Sequence, residues 1–274
     1  MVAGRWIAGA DITDAVRSAK RFKNAGIGSI INYLGEDLTH KKDIAFTIDT
    51  YLRLIEEIKK EKLHSDISVK PTQLGLLVNR KTFHNNLGTV VNAAKKKGVF
   101  VWIDMEDNNV VEDTIDEYMA AAMPKDIGIC IQAYLLDSGK QIKRIIKGKG
   151  TVRLVKGAYP LSDHTFKTRG EITRNYEKLM SYLFRKSKKF TIATHDSSLI
   201  EKAISLERKY GNEVTYAMLN GVRNRYLKNI TERGHKTSVY IPFGEKWVDY
   251  SYRRLKEAGH ASIILKSLFE RQGV

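Results

Sequence analysis

Arg153-Leu-Val-Lys-Gly-Ala-Tyr159 starts inside an apolar run, Thr151-Val155, and passes at once into a cation, a glycine and a tyrosine. A strand that ends in this way has stopped serving the core and begun to line a site. Three later fragments repeat the move, each placing charge or aromatic rings at or beyond the end of an apolar run. They are Ala193-Thr-His195, Tyr240-Ile-Pro-Phe-Gly244 and Tyr250-Ser-Tyr-Arg253-Arg254.

Outward from Thr151-Val155, runs rich in β-branched and apolar residues alternate with longer amphipathic ones. The strand candidates are Ser29-Tyr33, Ile67-Lys70, Phe100-Asp104, Ile127-Gln132, Thr151-Val155, Phe190-Thr194, Val214-Met218 and Thr237-Ile241. The stretches between them have helical period and about 10–20 residues, as parallel strands joined by crossover helices require. Eight such units imply an α/β fold, a closed (βα)8 barrel forming a single domain over residues 1–274. An extra N-terminal helix over Ile12-Lys23, stopped by Gly26, and a C-terminal helix over Ala261-Arg271 complete it.

In such a barrel, chemistry belongs at the carboxyl ends of the strands. Lys70, Asp104 with Glu106, Gln132, Lys156 with Tyr159, Thr194 with His195, and Tyr240 all fall there. The clusters Lys59-Lys60, Lys95-Lys97, Lys143-Arg144, Arg185-Lys186 and Arg208-Lys209 close helical segments instead, where cations offset the negative end of the helix dipole. The expected geometry has a site at the top of the barrel and a basic surface at the bottom.

Composition bounds the alternatives. The 274 residues are 42% hydrophobic with a formal net charge of +16. So basic a chain invites nucleic acid or anionic lipid, yet no zinc spacing, helix-turn-helix pattern or RNA-stacking motif accompanies the charge, and no specific nucleic-acid partner is expected. The lone Cys130, within Ile127-Gly-Ile-Cys-Ile131, forms no disulfide within the chain and suits a reducing cytoplasm. No stretch approaches the ~20 apolar residues of a membrane span, which leaves a peripheral contact on the cytoplasmic membrane face. The seven histidines show no His-x-x-x-His spacing, so no metal site is expected. Gly26-Ile-Gly28 precedes a strand rather than following one, which excludes a Rossmann fingerprint.

The top-face residues imply a small anionic substrate: Lys70, Arg153, Lys156, Arg253 and Arg254 gather cations, and adjacent arginines hold a carboxylate by bidentate hydrogen bonds. Tyr159, Tyr240 and Tyr250 supply flat, partly apolar walls suited to a small ring. Taken singly, each has a plainer reading. Arg253-Arg254 reads as a solvated pair, Lys70 and Asp104 as a structural ion pair at the rim, His195 as a satisfied rim histidine and Gly157 as a tight turn.

In order along the chain, Asn32-Tyr-Leu-Gly-Glu-Asp37, Ser68-Val-Lys-Pro-Thr-Gln-Leu-Gly75, Ile103-Asp-Met-Glu106, Gln132-Ala-Tyr134, the four fragments above and Arg253-Arg-Leu-Lys-Glu257 resemble the proline dehydrogenase family over nearly the whole length. The resemblance implies FAD as cofactor and oxidation of L-proline to Δ1-pyrroline-5-carboxylate by hydride transfer to flavin N5. It implies that Lys70, Arg253 and Arg254 hold the substrate carboxylate, that Leu219 and Tyr240 pack on its ring, and that Tyr159 and Tyr250 complete its walls. It makes Asp104 and Arg153 catalytic positions, with Asp104 orienting Lys70 or a neighbour and Arg153 as the cation beside the flavin. Met105, Gln132, Arg153, Lys156, Gly157, Ala158, Thr194, His195 and Glu257 match flavin contacts. A quinone as electron acceptor and a separate pyrroline-5-carboxylate dehydrogenase downstream follow as expected partners. Ala217, Asp196 and Ala258 stand where the family commonly has glutamine, asparagine and asparagine; the first two bear on flavin affinity and potential. Two readings compete: a flavin barrel of the methylenetetrahydrofolate reductase type, and a non-catalytic barrel that binds polyanions through its basic lower face.

Overall fold

The computed structural model describes residues 6–121 and 126–246. Eight parallel strands close into one barrel in sequence order, each strand pairing with its chain neighbours and the last with the first. They are β1 (Gly28–Tyr33), β2 (Ser65–Val69), β3 (Val101–Ile103), β4 (Ile127–Gln132), β5 (Thr151–Val155), β6 (Lys189–Ala193), β7 (Glu213–Leu219) and β8 (Lys236–Phe243). Helix α1 (Ile12–Asn24) precedes them, and α2 (Lys41–Lys60), α3 (Arg80–Lys97), α4 (Val111–Ala120), α5 (Ser138–Lys147), α6 (Arg169–Lys186), α7 (Ser197–Tyr210) and α8 (Asn224–Glu232) follow β1 to β7 in turn. The expected barrel and N-terminal helix are therefore both present. The helix expected over Ala261-Arg271 lies outside the described residues.

β4 and β5 have the expected bounds. β2, β3 and β6 stop one residue early, at Val69, Ile103 and Ala193, so Lys70, Asp104 and Thr194 lie just past the sheet. At β2 the reason is local: Pro71 starts a 3-10 turn over Pro71–Leu74, and the Gln73 carbonyl oxygen Oε1 accepts the Lys70 N–H at 3.2 Å. β7 and β8 run longer than expected at both ends, because polar Glu213 and Lys236 still pair at the lower rim while Leu219 pairs with Tyr240, and Pro242 and Phe243 with β1, at the upper.

Alternating side chains divide the buried residues into two sets. Val152 and Leu154 of β5 face the helices and join the main core with Tyr176, Leu179 and Leu183 of α6. The lumen holds a much smaller apolar group, Ile30, Trp102 and Ala217, with Phe100, Ala193 and Tyr240 packed on it. Arg153 is buried, and its guanidinium lies over the Trp102 ring at 5.2 Å. Among the described residues, six helices end in basic turns, at Arg21 and Lys23, Lys59 and Lys60, Lys95 to Lys97, Arg144 and Lys147, Arg185 and Lys186, and Arg208 and Lys209. This is the placement expected from the dipole.

Gly128 of β4 makes room for Trp102: a Cβ there would lie 2.5 Å from Trp102 Cζ3. Gly128→Ala should therefore overpack the lumen and cost about 1–3 kcal/mol, seen as a lower urea midpoint with the same slope. An unchanged midpoint would show that the indole can yield at no cost.

Candidate active site

Ser68 and Lys70 share one face of the second strand segment by the two-residue alternation, and Asp104 follows β3 directly beside them, its backbone N–H bonded to Val69 O at 2.9 Å. Arg153 reaches across from β5. Its Nη2 donates to Asp104 Oδ1, and to Ser68 Oγ at 3.2 Å. Ser68 Oγ donates to the same Asp104 oxygen at 2.6 Å, and the Tyr240 hydroxyl donates to Asp104 Oδ2, also at 2.6 Å. Lys70 Nζ lies 3.6 Å from that oxygen and 3.1 Å from Glu36 Oε1. Lys70, Asp104 and Arg153 are all buried. The Lys70–Asp104 pair exists, but Arg153 is the closer partner of Asp104 and Glu36 the closer partner of Lys70. Asp104 thus orients Arg153 and Tyr240 at least as much as Lys70.

Burial pushes the Asp104 carboxyl upward, but Arg153, then Lys70, Ser68 and Tyr240 more than offset it and hold it below the ordinary carboxylate range. Burial works against the Arg153 and Lys70 cations too. Asp104 reverses this for Arg153, and Tyr159, Glu36 and Asp104 reverse it for Lys70, so both stay charged. Arg153 Cζ lies 5.5 Å from the Tyr240 ring centroid. Its Nη1 is buried with no hydrogen-bond partner among the described residues. Cys130 lies against the guanidinium; burial raises its thiol and outweighs the charge and hydrogen bond of Arg153, which lower it.

The remaining expected residues surround this centre. Gln132 is buried, and its Nε2 donates to Glu106 O at 2.9 Å. Met105 is buried in the main core. Lys156 pairs with Asp196 Oδ2 at 2.9 Å, while Asp196 Oδ1 accepts the Ser198 N–H and caps α7. Gly157 has φ +118°, and a Cβ there would meet the Tyr134 ring at 2.4 Å. The need for glycine is thus explained by turn and ring, and Ala158 and Tyr159 follow, both half-buried. Thr194 Oγ1 accepts the Asp196 N–H at 3.2 Å, and His195 Nε2 accepts the Leu219 N–H at 3.0 Å. Leu219 packs on Trp6, Ile7 and Leu34. Ala217 faces the lumen with Ile30 and Trp102. Tyr250, Arg253, Arg254, Glu257 and Ala258 lie outside the described residues.

The site fits an electron-accepting ring with hydrogen-bond acceptors: a buried guanidinium with an unused N–H stands over the lumen, next to aromatic walls. Glu36, Ser68 and Trp102 belong to the same cluster and were not singled out from sequence. A signal existed for Ser68, which is polar in an apolar strand two residues before Lys70, and for Glu36 within Asn32-Tyr-Leu-Gly-Glu-Asp37.

The profile of the family described as "Proline dehydrogenase" matches residues 15–266. The chain belongs to the proline dehydrogenase family. It is 30% identical over 275 residues to "Proline dehydrogenase 1" of Bacillus subtilis subsp. natto, covering 98% of this chain and 91% of that protein. It is 26% identical over 267 residues to the "Proline dehydrogenase" of Deinococcus radiodurans, covering 93% and 86%. The crystal structure of proline utilization A from Bdellovibrio bacteriovorus is similar with a TM-score of 0.87 at 24% identity, over 98% of this chain and 34% of that one. The chain thus spans about a third of that longer protein, and this likeness concerns the fold. As a proline dehydrogenase the protein is an oxidoreductase that oxidises proline, the first step of proline catabolism. That membership sets aside the folate-reductase reading and a barrel without catalysis. A cavity of about 880 Å³ at the lower mouth, with Lys59, Lys62, Lys97, Lys189 and Lys236 around Asp66, does form the basic end opposite the site.

Glu106 gives the proline dehydrogenase barrel a distinct pH response. Its Oε2 accepts the Thr72 N–H at 2.8 Å and its Oε1 the Thr72 hydroxyl at 2.7 Å. Burial nevertheless lifts its carboxyl to about 7, against the lowering by Lys70 and Thr72. The folded chain keeps this proton where the unfolded chain has lost it, so stability falls as pH rises from about 4.5 to about 7 and then levels. Glu106→Gln should remove up to about 3 kcal/mol of that fall between pH 5 and pH 8. Urea titrations at both pH values with equal differences for the two proteins would contradict this.

Proposed function

We propose that this protein is an FAD-dependent dehydrogenase of L-proline that yields Δ1-pyrroline-5-carboxylate. The observation that carries the reading is the buried Asp104–Arg153–Tyr240 centre beside Lys70, at the carboxyl ends of the strands, in a chain of this family. When bound, the flavin accepts the hydride that leaves C5 of proline, and the protein supplies position and charge.

Lys70 meets the substrate carboxylate, together with Arg253 and Arg254. The Tyr240 ring, fixed by its hydroxyl's bond to Asp104, and Leu219, held by His195, wall the pyrrolidine ring; Tyr159 and Tyr250 extend that wall. Arg153 offers Nη1 to the cofactor and balances the charge that the hydride brings. Gln132, the Lys156-Gly157-Ala158 turn, Thr194, His195, Glu257 and the backbone around Met105 seat the rest of the cofactor. Proline gives up a hydride from C5 and a proton from nitrogen. Asp104, held below the ordinary carboxylate range, is a weak base, and both Glu106 oxygens are engaged by Thr72. The amine proton therefore leaves to solvent. A quinone takes the electrons onward at a peripheral contact with the cytoplasmic membrane face, and a separate pyrroline-5-carboxylate dehydrogenase consumes the product in the cytoplasm. Among the described residues no helix is long and apolar enough to cross a membrane.

Purified protein should be yellow, and its flavin absorbance should bleach when L-proline is added without oxygen. A colourless protein that takes up no FAD on reconstitution overturns the proposal.

Asp196 bears on the cofactor's potential. Asparagine caps a helix as well as aspartate does, so Asp196→Asn should leave stability nearly unchanged while releasing the Lys156 charge. The flavin midpoint should rise by roughly 10–30 mV, the effect of about 0.5–1.4 kcal/mol on a two-electron couple. Equilibration with a reference dye measures it, and a midpoint equal to that of the unsubstituted enzyme would separate Lys156 from the flavin.

A further inference from the structure

Arg223 stands immediately before α8 with φ +56°, a left-handed conformation uncommon for a residue with a side chain, and Gly221 before it has φ +73°. Backbone held there persists only where surrounding contacts over-determine it. Those contacts are present. Arg223 Nη1 donates to the His195 carbonyl at 2.6 Å, and its guanidinium carbon lies 4.2 Å from the Tyr226 ring centroid. The Tyr226 hydroxyl donates to Glu201 Oε1 at 3.0 Å, and Arg233 grips both Glu201 oxygens at 2.7 and 2.8 Å. The Arg223 side chain is thereby backed by a ring that is itself anchored to α7.

The other end of the linkage is the His195 ring. Its Nε2 accepts the Leu219 backbone N–H at 3.0 Å, which requires a ring with its hydrogen on Nδ1. Leu219 O in turn accepts the Val222 N–H at 3.1 Å, inside the turn that delivers Arg223. The contacts close a loop: the imidazole of His195 holds the end of β7, and the residue that follows β7 by four positions holds the backbone of His195. Asn220 ties the same turn to β8 and to the N-terminal segment, its N–H bonding Tyr240 O at 2.9 Å and its Nδ2 bonding Trp6 O at 3.2 Å.

We infer that Arg223 is a positioning residue that locks the cofactor-facing Thr194-His195 segment and the substrate-facing residues Leu219 and Tyr240 into one piece. The proposal rests on the flavin reading above. A guanidinium bonded to a carbonyl and stacked on a ring is more than a surface cation, since each partner fixes it in a different plane. Its loss would let the two loops shift independently, and a displacement of that kind is felt in orientation before it is felt in folding.

Arg223→Gly separates these effects, because glycine adopts φ +56° without strain and removes only the side chain. Its melting temperature should fall only slightly, because relief of the backbone strain offsets most of the lost side-chain contacts. Its apoprotein should bind FAD about 10-fold more weakly by flavin-fluorescence quenching, and KM for proline should rise several-fold more than kcat falls. Arg223→Lys, which keeps a donor but loses the planar stack, should recover part of the FAD affinity. If Arg223→Gly does not fold, Tyr226→Leu, which leaves the backbone alone and removes the supporting ring, should show the same two losses in smaller measure. FAD affinity and KM within twofold of the unsubstituted protein, in whichever of these variants folds, overturn the inference. An unsubstituted protein that binds no FAD overturns the flavin reading and this inference with it, whereas equal binding by both proteins overturns this inference alone.

Discussion

Placing a guanidinium inside a barrel is the constraint on which the rest of this molecule turns. Removing such an ion from water costs several kcal/mol even after relaxation, and a partner repays it only with close geometry and further hydrogen bonds. Arg153 meets this demand through Asp104, Ser68 and the faces of Trp102 and Tyr240. Each of those partners is then fixed in turn. Trp102 requires Gly128 opposite it, Tyr240 must turn its hydroxyl to Asp104, and Asp104 must remain ionised. A core of aliphatic side chains would be easier to build, so the buried pair is a cost that packing alone does not explain.

The barrel was legible because its signals are local. The bounds of β4 and β5 follow from short β-branched runs flanked by glycine or polar residues, and the basic helix ends follow from the dipole. Lys70, Asp104, Arg153 and Tyr240 stood out as polar residues at or inside apolar strands. The Lys70–Asp104 pair was legible as a rim ion pair, but the closer pairings were not, since Arg153 and Asp104 are 49 residues apart and Tyr240 and Asp104 are 136 apart. The same holds for Arg223 and His195, 28 apart, where the sequence shows only an arginine at the head of a helix. Gly157 illustrates the opposite case: the glycine was noticed, but the Tyr134 ring that demands it lies on another loop.

Asp196 shows how one residue can satisfy a local rule and a distant one together. As a helix cap it uses Oδ1, and asparagine would serve equally. Its second oxygen pairs with Lys156, and burial's upward push on its carboxyl is outweighed by that ammonium and by the cap hydrogen bonds. Only the aspartate neutralises a lysine beside the turn that follows β5. The departure from asparagine is thus conservative for folding and not conservative for charge.

Charge balance also sets what the described part of the site can attract. Among the described buried groups, Lys70 and Arg153 are offset by Glu36 and Asp104, while Glu106 changes charge near pH 7. Such a cluster has no net positive charge with which to draw in a carboxylate, despite the +16 of the whole chain. The lysines at the lower mouth do not help, because they face solvent at the other end of the barrel and are screened within about 8–10 Å at ordinary ionic strength. The attraction for an anionic substrate must therefore come from cations added to this neutral centre. On the proposed function that role falls to Arg253 and Arg254, which lie outside the described residues, because Lys70 is already shared between two carboxylates.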